Sequence, residues 1–349
     1  MLWRCELKKI LFTHRGLWLL LVCLLLKLLF LWSFPEQKDP RIVLSQRQYD
    51  NYLAQLYGEN TPEKANWILA EYEQCKQIKD MQQKMQDQYT RGEITEEAWE
   101  AYAQALNQAD LHINSAKIFA EKAEQFLAQP ADIPPAHYIY EYGWQTVYTL
   151  LQFPDVFLLF GLLVVTAQCF SAEAGMLPVL LAARNGRRQL FGAKLLALLT
   201  VCFAAAAVSG GLEAGVFLYR GWCNDGGVPL YSITLMADCP LELSLTGGYL
   251  LCLGVRSLAV LLFAAMAFGL SVWLRNTTHL IFLGVCILAL PLLLAGPVAL
   301  FTHGGLLCGS QMLQWWADSG LPLALPLVIV TVYSIAVVFF AAKRHRRGL

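Results

Sequence analysis

Charge is what this sequence has little of: Asp, Glu, Lys and Arg make up 15% of its 349 residues, against roughly a quarter of an average soluble domain. That scarcity excludes an ordinary soluble enzyme. The two signs balance at 26 residues each, so no basic excess advertises a nucleic-acid partner. The chain also lacks G-x-x-x-x-G-K-[ST], a G-x-G-x-x-G after a strand, H-E-x-x-H and paired C-x-x-C motifs. Phosphate cradling and zinc chemistry therefore have no usual carrier, and an intrinsic ATPase is excluded. The six histidines are scattered and no nucleophile stands beside a base. The sequence thus predicts no catalytic residue, no metal site and no cofactor.

Apolar residues are abundant, at 57%, and the few charges are segregated. Eighteen of the 26 acidic residues fall between Glu36 and Glu141, while most remaining basic residues flank apolar runs. A helix needs about 20 predominantly apolar residues to cross a hydrocarbon layer of about 30 Å. Six windows qualify, at about residues 17–34, 147–170, 190–219, 245–274, 280–301 and 321–342. Arg4, Lys8, Lys9 and Arg15 precede the first, and Arg184, Arg187, Arg188 and Lys194 lie between the second and third. Arg275 lies between the fourth and fifth, and Lys343, Arg344, Arg346 and Arg347 follow the sixth. These clusters occupy alternate loops, which the positive-inside rule assigns to the cytoplasm together with both termini.

The expected architecture is an all-α polytopic membrane protein with six transmembrane helices and an extracytoplasmic helical-hairpin domain between the first and second. Residues 1–34 hold the cytoplasmic N-terminus and an uncleaved first span, 35–146 the outer domain, and 147–349 five further spans. In the outer domain, Thr61 and Pro62 open one helix and Thr95-Glu96-Glu97 another. The first carries Ile68, Tyr72, Cys75, Ile78, Met81, Met85 and Tyr89 at helical spacing. The second carries a coiled-coil stripe from Trp99 through Tyr102, Leu106, Ala109, Ile113, Ala116, Ala120 and Ala123 to Leu127. Residues 40–58 suggest a third helix with Val43, Tyr49, Tyr52, Leu53 and Leu56 inward.

Ionisable residues inside spans are costly and therefore informative. Asp155 and Arg256 lie at nearly matching depths in the second and fourth spans, which suggests an intramembrane charge pair. Lys27 is close enough to the outer boundary to extend its ammonium outward, and Glu213 is read as hydrated. Tyr138, Tyr140, Tyr142, Trp144 and Tyr148 suit a headgroup belt. Cys223 and Cys239 bracket a short outer loop that a disulfide would close if the outside is oxidising.

Phe170-Ser171-Ala172-Glu173-Ala174-Gly175, then Leu180-Leu181, Arg184-Asn185-Gly186-Arg187-Arg188 and Lys194-Leu195-Leu196-Ala197, resemble the cytoplasmic segment of type-2 ATP-binding-cassette transporter permeases. The Leu-Arg-Asn turn at 274–276 resembles that family's break between spans four and five. In the family this segment, here 171–190, forms the coupling helix that docks on a separate ATPase subunit, although Pro178 interrupts the stretch. The resemblance implies a permease subunit of an exporter in a bacterial cytoplasmic membrane, paired with a second permease as a homodimer or heterodimer, surrounded by membrane lipid and driven by that ATPase. It maps Glu173, Gly175, Arg184, Arg187 and Lys194 onto the docking region. The rival expectation is a membrane-anchored sensor or scaffold that binds through its outer helical domain.

Overall fold

The computed structural model describes the chain except at residues 1, 43–44, 129–133, 172–185, 240, 275, 295 and 348–349; at 170–171, 186–188, 291–292 and 346–347 it describes backbone alone. In chain order the helices begin with α1 (Leu2–Lys8) and α2 (Gly16–Ser33). Next come α3 (Gln46–Leu56), α4 (Pro62–Asp80), α5 (Gln82–Thr90) and α6 (Glu96–Leu127). Then follow α7 (Tyr142–Leu151), α8 (Val156–Ser171), α9 (Gly186–Tyr219) and α10 (Leu245–Ser271). The last are α11 (Thr277–Leu293), α12 (His303–Leu307), α13 (Gly309–Ser319) and α14 (Ala324–Arg347). The two strands, β1 (Gly58–Glu59) and β2 (His137–Tyr138), pair antiparallel with Gly58 opposite Tyr138.

The chain divides into two compact units. One comprises Met1–Pro35, Val147–Trp222 and Gly248–Leu349, the other Glu36–Thr146 and Cys223–Gly247. In the second unit α4 and α5 run antiparallel to α6: Tyr89 stacks on Trp99, the Tyr102 hydroxyl donates to the Ile78 carbonyl at 2.7 Å, and Lys79 meets Asp110 at 2.9 Å. Thr61 and Thr95 cap α4 and α6 by accepting from the backbone N–H of Lys64 and Ala98, which satisfies one orphan donor each. Tyr49, Tyr52 and Leu56 of α3 are buried in the core of this unit; Val43 lies outside the described residues.

The stripe on α6 differs from a strict coiled-coil seam. Ala109, Ala116, Ala120 and Ala123 are buried, but so are Ser115, Ile118, Phe119, Lys122 and Phe126, while Leu127 is exposed. The wider face arises because α6 packs against both α3 and α4, and two neighbours cover more of a helix than one seam does. The expected headgroup belt is also different. Tyr138, Tyr142, Trp144 and Tyr148 are all buried, and Tyr138 and Tyr142 belong to the aromatic core that includes Tyr49 and Phe119. Trp144 Nε1 donates to the Asn224 carbonyl at 2.5 Å, one of the bonds that ties 223–247 into this unit. Cys223 and Cys239 are not joined by a disulfide.

Two ionic contacts order the second unit. The Arg41 guanidinium bonds Asp39 and Glu121 and holds the Asp39 carboxyl below its ordinary range. A depressed carboxyl stabilises the fold above its unfolded pKa, and that contribution is lost as pH falls through the lower folded value. The deeper contact is Lys122 with Glu141 at 2.7 Å, both almost fully buried; Glu141 also accepts from the Thr234 backbone N–H at 2.8 Å. Removing one member of such a pair strands the other. Lys122→Met is expected to cost about 3–5 kcal/mol, read as a lower unfolding temperature of the full chain by circular dichroism. Lys122→Met with Glu141→Gln is expected to recover much of that loss.

The first unit is a multi-pass membrane bundle. Among the described residues five helical stretches are long and apolar enough to cross a membrane: Gly16–Ser33, Tyr142–Cys169 (α7 and α8, its first five residues belonging to the second unit), Gln189–Tyr219, Leu245–Ser271 and Ala324–His345. The fifth window of the sequence is not one continuous helix. Helix α11 stops at Leu293, and a 3-10 turn at Gly296–Phe301 leads into α12 and α13. Gly296 takes a left-handed φ of 74° and Pro297 supplies no N–H, so the helical ladder cannot continue there. A Cβ on Gly305 would collide with the Ala299 carbonyl oxygen, so this fold-back requires glycine.

Candidate functional site

Pro154 removes a backbone donor and disfavours helix at Phe153, which interrupts the second span between α7 and α8. Asp155 repairs the break, its Oδ1 accepting from the Leu158 backbone N–H at 3.0 Å. Its other oxygen faces Lys27. On α2 the buried residues are Gly16, Leu20, Cys23, Lys27 and Leu31, a run at spacings of three and four that puts Lys27 on the packed face. The opposite face exposes Trp18, Leu21, Leu25 and Leu29, as a lipid-facing surface should.

Four spans deliver their charges to one place. Lys27 Nζ lies 2.6 Å from Asp155 Oδ2 and 2.6 Å from Glu213 Oε1, and it also donates to the Ser209 hydroxyl and, at 3.3 Å, to the Ser209 carbonyl. Ser209 Oγ donates to Asp155 Oδ2 at 2.6 Å. Arg256 Nη1 reaches Glu213 Oε2 at 3.3 Å. Ser209 and Glu213 are four residues apart on α9 and so share a face. The resulting order is Asp155, Lys27, Glu213, Arg256, with charges alternating and summing to zero. Their side chains are only 4–9% exposed, so each charge depends on its neighbours for the solvation that water would otherwise give.

The sequence singled out Asp155 and Arg256 as direct partners. The structure brings both into one network, but through Lys27 and Glu213: Asp155 bonds Lys27 and Ser209, and Arg256 bonds Glu213. Lys27 does not extend outward and Glu213 is buried rather than hydrated. The missed signal was the inward stripe 20, 23, 27, 31 on α2.

Beside the network is a cavity of about 340 Å³, at the lower end of the roughly 300–1,000 Å³ of small-molecule pockets. Lys27, Asp155, Glu213 and Arg256 line it together with Phe30, Phe34, Thr149, Phe153, Val156 and Phe157. Phe30, Phe153 and Val156 are exposed on the surface of the unit. The cavity therefore joins an apolar, lipid-compatible mouth to fixed charges. A second polar cluster has a different character. His303 at the start of α12 meets Ser334 Oγ through Nε2 at 2.9 Å and the Tyr333 hydroxyl through Nδ1 at 2.9 Å. Ser334 spends its proton on the Val330 carbonyl at 2.7 Å, so its hydroxyl accepts from Nε2–H and Nδ1 accepts from tyrosine. With every proton committed, the trio ties the fold-back to α14 and does not activate a nucleophile.

Of the residues expected to dock an ATPase, Glu173, Gly175 and Arg184 lie outside the described residues, and Arg187 is described only as backbone in the first turn of α9. Lys194 is described and does not belong to a docking surface. It is 1% exposed, and its Nζ donates to the Cys169 carbonyl at 2.7 Å, satisfying one of the orphan acceptors at the end of α8. Asn276 caps α11, accepting from the Thr278 N–H at 2.9 Å.

The register of α2 against α8 sets which charges meet. A Cβ added at Gly161 would lie 3.6 Å from the Cys23 Cβ and 3.2 Å from its Sγ, within the roughly 3.5–4.5 Å Cβ separation of a disulfide. Gly161→Cys is therefore expected to crosslink to Cys23 under mild oxidation, detected by peptide mass mapping of the non-reduced chain. A crosslink-free variant under conditions that oxidise exposed thiols would contradict the register.

No family model, curated protein or solved structure matches this chain, so its functional reading rests on its own residues.

Proposed function

We propose that this chain is the membrane-spanning permease subunit of an ATP-binding-cassette transporter, energised by a separate ATPase subunit and acting with a second permease as a pair. The observation that carries this reading is the cavity among the spans, apolar at its mouth and lined on one side by the four-charge network. The charges order the helices in any bundle, but a bundle that only anchored an outer domain has no use for a cavity that opens toward lipid and ends on them. These residues carry no P-loop, and in this proposal a separate ATPase subunit supplies the energy.

In this proposal the broken segment at 277–301 provides the fifth of six crossings, both termini are cytoplasmic and residues 35–146 are outside, following the alternate basic loops. The membrane is a bacterial cytoplasmic one by the sequence resemblance. Force enters through 171–190, the only cytoplasmic segment between spans long enough to dock a partner. Here Glu173 suits a helix start, while Arg187 and Arg188 fall in the first turn of α9 and so flank the segment rather than end its helix.

Tagged full-length chain purified under gentle detergent is expected to bring down a P-loop ATPase. Combining Glu173→Lys with Arg187→Glu is expected to lose the ATPase or uncouple its hydrolysis from transport, with membrane insertion unchanged. A double variant that keeps both the ATPase and transport would overturn the coupling assignment and favour a membrane-anchored sensor.

A further inference from the structure

The unused hydrogen-bonding capacity of the network belongs mainly to one residue. Lys27 spends its three donors on Asp155, Glu213 and Ser209. Asp155 accepts from Lys27, Ser209 and the Leu158 N–H, and Glu213 accepts on both oxygens. Arg256 carries five N–H donors and, among the described residues, makes one hydrogen bond, to Glu213 at 3.3 Å. Its side chain is 9% exposed, and it lines the cavity. The remaining Arg256 nitrogens are not among the fully buried, unpartnered atoms, so they stay accessible beside the cavity, and a planar fork of N–H groups matches the two oxygens of a carboxylate or phosphate.

We infer that this cavity binds an anionic amphiphile, its carboxylate or phosphate head on the free edge of the Arg256 guanidinium and its apolar tail against Phe30, Phe153 and Phe157. A lipophilic cation fits worse because the network is neutral and its unused capacity is N–H donors on Arg256, while both carboxylates already accept from cations. The tail leaves through the exposed Phe30, Phe153 and Val156 toward the acyl region of the bilayer, so a lipid-soluble ligand reaches the site without crossing water. As a cargo site this rests on the transport proposal; as a binding site it stands alone, because no ATPase is needed to fill it.

The test is a fluorescence titration of the purified full chain in phosphatidylcholine nanodiscs with cis-parinaric acid, followed by displacement. One-to-one binding is expected, with displacement by dodecanoate, dodecyl phosphate or phosphatidylglycerol at least tenfold better than by dodecanol. Which anion displaces best distinguishes a free fatty acid from a phospholipid or phosphate head. Arg256→Gln is expected to weaken the anions at least tenfold and leave dodecanol unchanged. Thr149→Trp fills the cavity from its wall without touching the charges and is expected to weaken acid and alcohol alike. Equal displacement by dodecanol, stronger displacement by dodecyltrimethylammonium, or wild-type affinity in Thr149→Trp or in a folded Arg256→Gln would overturn the inference. Because the assay contains no ATPase, a negative result leaves the coupling experiment to judge the transport proposal separately.

Discussion

Lys27 between two carboxylates is the contact on which the membrane unit depends. An ammonium inside an apolar bundle is tolerable only where oxygens replace its hydration shell, and Asp155, Glu213 and Ser209 do so at one point. Satisfying it fixes the facing of three helices: α2 must turn its 20–23–27–31 stripe inward, α8 must begin at Asp155, and α9 must present Ser209 and Glu213 together. Arg256 then follows, because Glu213 has a second oxygen to share.

The same constraint links the break in the second span to the cavity. A continuous helix through Pro154 would have no free end for Asp155 to cap; the interruption at 152–155 creates both the cap and the aromatic wall of Phe153 and Phe157. Irregular backbone at membrane depth persists where side chains satisfy its polar groups or where it borders a cavity, and both conditions hold here. The fold-back after α11 follows a similar rule, with Thr302 capping α12 and His303 bonded to α14.

Much of the helical architecture was legible in the sequence because it is local. Thr61-Pro62 and Thr95 mark helix starts through their own side chains, and the apolar windows record length and hydropathy directly. The partners of the buried charges were not legible in the same way. Matching Asp155 with Arg256 by depth ignored which face each helix turns inward, and for Lys27 that face is visible only when Leu20, Cys23 and Leu31 are read together with it. Tyr138, Tyr140 and Tyr142 differ from the expected belt for a related reason: an amphipathic ring suits an interface and an aromatic core equally well, and Tyr49 and Phe119, distant in sequence, decide between them. Lys122 and Glu141 show the limit most clearly, since nothing near either residue announces the other.

The central claim is that the intramembrane charges form one interdependent network. A double-mutant cycle on Lys27 and Asp155 tests it most directly, by thermal unfolding of the purified full chain. Lys27→Met leaves two buried carboxylates facing one guanidinium, whereas adding Asp155→Asn restores neutrality and preserves an oxygen to cap α8. The account predicts that the double variant is more stable than Lys27→Met alone, with a coupling energy within the roughly 0.5–3 kcal/mol of contacting residues. Strictly additive effects would contradict it, because independent charges would each then be satisfied by something other than one another.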